Sequence, residues 1–115
     1  MLRVALLAAL GAALLLALPA ASPARGCSVK GKERKLGATY VTSVSASGIS
    51  CSGALDVVRA YHRCRHRRGG ADGRCPRFNG WRCRESRVSS PTQYDSRATC
   101  RKGGRRVVQR YTQNT

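Results

Sequence analysis

The chain has 115 residues and sets 22 Lys and Arg against 5 Asp and Glu, a formal net charge of +17. At this length it makes one small domain with a modest core. The basic excess points to anionic partners, and five singly scattered carboxylates give no indication of the paired groups that acid–base catalysis uses.

The first element is an export signal over residues 1–24. Arg3 supplies a short positive region, residues 4–18 are an apolar run broken only by Gly11, Pro19 ends the run, and small residues follow. That is the layout of a secretory leader. The run is shorter than the roughly twenty residues of a bilayer-spanning helix. Ser22 and Ala24 fit cleavage after Ala24, with cleavage after Ser22 as the rival. Cys27 raises the alternative of a lipoprotein, but Ala24 and Arg25 do not match that pattern, and lipidation would leave an odd number of cysteines. Cleavage after Ala24 removes one basic residue, Arg3, and leaves a mature chain of charge +16. No later stretch is apolar enough to span a membrane, so the mature protein is expected outside the cell as a soluble monomer.

Residues 25–37 (RGCSVKGKERKLG) carry charge and glycine without period and read as a basic arm, tethered if Cys27 is bridged. Residues 38–115 read as a single disulfide-stabilised domain. It opens with ATYVTSVSASGIS, whose β-branched residues at period two predict a strand. From Cys51 to Gly70 the pattern changes to that of a helix. Ser50 or Ser52 can cap it, Gly69-Gly70 can stop it, and Cys51, Ala54, Leu55, Val57, Val58, Tyr61 and Cys64 share one half of the wheel. Asp56, Arg59, Arg63, His66 and Arg67 share the other, so a basic stripe is expected on the solvent side.

Gly69 to Asn79 reads as a loop. Gly80 to Arg87 alternates, with Trp81 and Cys83 on one side and Arg82 and Arg84 on the other. VSSPTQYDS is turn-like, and RATC-RKGG-RRVVQRYTQ reads as a hairpin turning at Gly103-Gly104. The expected fold is α+β: one amphipathic helix on a small antiparallel sheet, order β-α-β-β-β, stapled by disulfides. Alternation also sends Arg82, Arg84, Arg97 and Arg101 to solvent on neighbouring strands.

The six cysteines, Cys27, Cys51, Cys64, Cys75, Cys83 and Cys100, include no pair separated by two residues, so a zinc or redox motif is not indicated and no metal or cofactor is expected. Disulfides fit an exported chain. Cys51 and Cys64 lie about 20 Å apart on one helix, beyond the ~7 Å limit for a bridge. Cys64 with Cys75 is an attractive local pair. Cys51 is then expected to reach Cys83 or Cys100, with Cys27 taking the one left over. Trp81 is expected in the core, while Phe78, in the loop, is a candidate for stacking on a sugar or base.

The order ISC…A…VV-x-AY, then GWRC, then TCRKGG and a β-rich end resembles small exported actinobacterial proteins of unknown function, over roughly Ile49 to Tyr111. The resemblance implies a helix-on-sheet fold and structural roles for Cys51, Cys83 and Cys100. It implies no activity, and Cys64, Cys75 and the residues around them look like an elaboration of the pattern.

The function expected is binding of an anionic polymer or surface at or outside the cell envelope: teichoic acid, acidic polysaccharide, nucleic acid or anionic lipid. The candidate residues are Arg59, Arg63 and Arg67 on the helix and Arg65, Arg68, Arg74 and Arg77 around the following loop, because guanidinium forks bind phosphate and carboxylate in pairs. The bland counterpart is a solvated basic face. A cationic antimicrobial effector using Phe78 and a protease inhibitor presenting Arg74, Arg77 or Arg82 are alternatives. A small hydrolase is the weakest: only His62 and His66 are available, one turn apart on one helix, where they cannot flank a scissile bond. No catalytic residue is assigned.

Overall fold

The computed structural model describes residues 11–12 and 22–115. Most of the expected leader, residues 1–24, therefore lies outside the described residues. Among those described, no helix is long and apolar enough to cross a membrane.

Six strands and one helix follow in the order β1 (Arg25–Cys27), β2 (Tyr40–Ser47), α1 (Cys51–Gly69), a 3₁₀ turn (Gly70–Asp72), β3 (Arg77–Phe78), β4 (Trp81–Ser90), β5 (Gln93–Lys102) and β6 (Arg105–Asn114). They form one antiparallel sheet ordered β1-β2-β6-β5-β4-β3, with α1 packed on one face. The α+β, disulfide-stapled architecture is as expected, but the sheet has six strands where four were expected. Both additional strands lie at its edges. β1 comes from the supposed arm, and β3 from the supposed loop.

Each departure has a local cause. Asn79 (φ 47°) and Gly80 (φ 81°) take the two positive φ angles of a tight turn, which pairs Phe78 with Trp81 and makes β3 and β4 a hairpin. Residues 25–37 are tied down by Cys27, and Leu36 from the same segment is fully buried. The turn-like VSSPTQYDS is the tip of a long hairpin, in which Ser90 pairs with Gln93 and Tyr94 and Ser96 point inward. Lys102 pairs with Arg105 across Gly103-Gly104, as the hairpin reading requires.

The helix starts where Ser50 accepts the Gly53 N–H at 3.1 Å and stops at Gly70, whose φ of 64° only glycine adopts without strain. Ala54, Leu55, Val57, Val58, Tyr61 and Cys64 are buried against the sheet, on the predicted half. Trp81 is buried as well.

The disulfides are Cys27–Cys51, Cys64–Cys75 and Cys83–Cys100. The local pair is as expected, and Cys51 does not join Cys64. The remaining assignment is corrected. Cys83 and Cys100 stand directly opposite each other on β4 and β5, with Cα atoms 4.1 Å apart, so they take each other. Cys51 is left to Cys27, which β1 brings to the start of the helix.

Candidate anion-binding face

Because α1 covers one face of the sheet, strict alternation sends every second residue of β4, β5 and β6 to the other. Arginine is the commonest residue among them. Arg77 on β3, Arg82 and Arg84 on β4, Arg97 and Arg101 on β5, and Arg106 and Arg110 on β6 share this uncovered face. Six of them, all but Arg110, line one open concavity of about 820 Å³ together with Ser86 and Thr99.

None of the seven has a carboxylate partner. Among the described residues the ion pairs are Arg59–Asp56, Arg74–Glu85 and Arg87–Glu85. Glu85 points the other way, under the helix, where it accepts from Ser96 and Tyr111 and sits 2.8 Å from Arg87. Asp95 is on the uncovered face but at its far end, and it accepts from the Thr112 hydroxyl at 2.6 Å. The arginine Nε of Arg106 is shielded from solvent and has no hydrogen-bond partner.

The candidates from sequence divide among four places. Arg59, Arg63, Arg67 and Arg68 lie on α1, across the molecule from the arginine face, with Arg59 paired to Asp56 at 3.2 Å. Arg74 is exposed beside Glu85. Arg77 alone belongs to the face just described, and it sits in a paired strand with Arg82 rather than on a protruding inhibitor loop.

Arg65 is corrected outright: it is fully buried. Its Nε donates to His62 Nδ1 at 2.7 Å, its Nη1 to Ala71 O and Tyr94 Oη, and its Nη2 to Gln113 Oε1 at 2.6 Å. The guanidinium also lies over the Tyr111 ring. This network satisfies a buried charge without a carboxylate in contact, and burial still moves the Arg65 pKa below its usual value.

The histidines are occupied in the same way. Because Arg65 donates to His62 Nδ1, the neutral ring carries its proton on Nε2, which donates to Gln109 Oε1 at 2.7 Å. Burial first, and Arg65 second, lower the His62 pKa to about 3. His66 Nε2 donates to Gly37 O at 2.7 Å. Phe78 is partly buried, packed against the core and edge-on to Tyr61, in a paired strand rather than in a loop.

Arg106 and Arg110 are the functional candidates that sequence reading missed. In RRVVQRYTQ they alternate with Val107, Gln109 and Tyr111, and period two alone would have turned them outward beside Arg97 and Arg101. No protein family, curated protein or solved structure matches the chain.

Proposed function

We propose that this protein is an exported, non-catalytic module that binds linear polyanions on the uncovered face of its sheet. The observation that carries this is the gathering of seven arginines on one face with no carboxylate in ion-pair distance. Unpaired guanidiniums lining a shared concavity raise the local concentration of anions and offer forks that match phosphate and sulfate oxygens.

Export is supported by the leader pattern in the sequence and by three disulfides, which persist in oxidising compartments. Cys27 is bonded to Cys51, and lipidation would need that same thiol. Membrane disruption has less support. Among the described residues the exposed large apolar side chains are Tyr40 and Val88, isolated on the far end of the same face, and no apolar wedge accompanies the charge there.

The test is retention of the oxidised protein on immobilised heparin, eluted with a salt gradient. Replacing Arg82, Arg101 and Arg106 together by alanine is expected to move elution to much lower salt, while replacing Arg63, Arg67 and Arg68 leaves a smaller shift. The reverse ranking would assign binding to the helix, and elution that ignored salt would defeat the proposal.

A further inference from the structure

Four of the arginines stand in a single line across the strands. Arg77 is paired with Arg82, Arg82 with Arg101, and Arg101 with Arg106, and the line runs on to Ser47 of β2. Strands are spaced about 4.8 Å apart, so the line is about 14 Å long with one guanidinium per strand. Like charges directly opposite one another destabilise a sheet, and here three such contacts follow in succession. The Cys83–Cys100 bond joins β4 to β5 beside Arg82 and Arg101, and so holds the strands together next to the middle pair of the line.

The surroundings of the line narrow the ligand. The next row on the same face is Arg84, Thr99, Val108 and Ser45, and the row after that is Ser86, Arg97, Arg110 and Ser43. The aromatic ring on this face, Tyr40, is in the row beyond, opposite Thr112. Neither a base nor a sugar ring finds a platform near the line, since stacking on such groups uses aromatic side chains. What the line matches is charge carried in single file on the ligand's own backbone, with hydroxyls alongside.

Resting on the polyanion reading, we propose that the line Arg77–Arg82–Arg101–Arg106 holds a polyol-phosphate chain: phosphodiesters joined by short hydroxylated linkers, running across the strands and recognised without bases. Each guanidinium takes the oxygens of one phosphate, and the bound chain relieves the repulsion between neighbouring arginines.

The experiment titrates the oxidised protein with an oligomer of glycerol phosphate, with oligothymidylate of the same length, and with a heparin oligosaccharide of similar charge. The glycerol phosphate chain is expected to bind as tightly as oligothymidylate within a factor of about two, with log K falling against log salt at a slope of about −3, from four contacts at ~0.7 each. R101A, at the middle of the line, is expected to lower that slope by about 0.7 and to raise the Tm of the free protein, because it removes two like-charge contacts and is on an exposed position. About tenfold preference for oligothymidylate, binding of the sulfated sugar in place of both phosphate chains, or a slope that R101A leaves unchanged would overturn the assignment. Failure of all three polymers to bind at low salt would instead overturn the polyanion reading beneath it.

Discussion

His62 makes folding sensitive to acid, by an amount that follows from its surroundings. Its side chain is fully buried, Arg65 donates to Nδ1, and the pKa falls from 6.5 to about 3. In the unfolded chain the ring titrates near its ordinary value, so between the two pKa values the unfolded state holds a proton that the folded state refuses. Stability is therefore full above about pH 6.5 and declines as pH falls towards about 3. At 1.36 kcal/mol per unit, the whole window is worth about 5 kcal/mol, and about 2 kcal/mol of it is lost between about pH 7 and pH 5. Urea unfolding of the oxidised protein at those two pH values measures the difference, and His62→Gln should remove most of it. A direct check needs no variant: the His62 ring resonances should stay flat on lowering the pH to about 4.5, with the nitrogen pattern of a neutral ring protonated at Nε2. A folded-state transition near 6.5 would refute the reasoning, as would a His62→Gln variant with undiminished acid sensitivity.

Two other substitutions test how the fold is held. Cys83→Ala with Cys100→Ala opens a cross-link of sequence separation 17 and should cost about 3 kcal/mol in denaturant unfolding. Added polyphosphate should return part of that loss, because it neutralises Arg82 and Arg101 on the two strands set free; a loss below about 1 kcal/mol would mean the bond adds little. At Gly73, an added Cβ would lie 1.8 Å from the backbone oxygen of Arg65. Gly73→Ala must therefore displace the end of α1 and the Arg65 network, with an expected cost above about 3 kcal/mol. Gly104→Ala, which meets nothing within 4 Å, is the comparison and should differ little from wild type in thermal melting.

The helix was legible because its signals agree: a serine cap, paired glycines at the stop, and apolar residues at helical spacing. The edges of the sheet were less legible. Asn79-Gly80 between RF and WR is a strong hairpin signal, but strand β3 is only two residues long, too short to show a period. The Tyr94 to Ser96 stretch of β5 looked like turn because one of its two inward residues is a serine, held there by Glu85. Polarity misled most at Arg65. By spacing it continues the fully buried series Ala54, Val58 and Tyr61, but its charge assigned it to solvent. Likewise period two puts Gln109 and Gln113 on the same side as Val107 and Tyr111, but their polarity concealed that they face the core, where they pair with His62 and Arg65 of the helix. The arginine face was half legible: alternation found Arg82, Arg84, Arg97 and Arg101, whereas the helix stripe drew attention to the opposite side.

The distribution of the acidic residues bears on which basic surface is the site. Glu85 is turned inward to Arg87 and Arg74, and Asp56 neutralises Arg59 on the helix. Asp95 is on the arginine face, but six residues along β5 from Arg101 it lies about 20 Å away. On the helix Asp56 offsets Arg59 alone and leaves Arg63, Arg67 and Arg68 unpaired but solvated, whereas on the sheet the unpaired arginines stand directly opposite one another in a line. Solubility alone does not call for that arrangement, since interspersed signs keep a surface solvated without setting like charges opposite one another. Cross-strand arginines in register lower the stability of the free protein and gain their compensation when an anion lies between them. Polyanion binding and thermal stability should accordingly rise together in the wild-type protein and separate in variants that break the line.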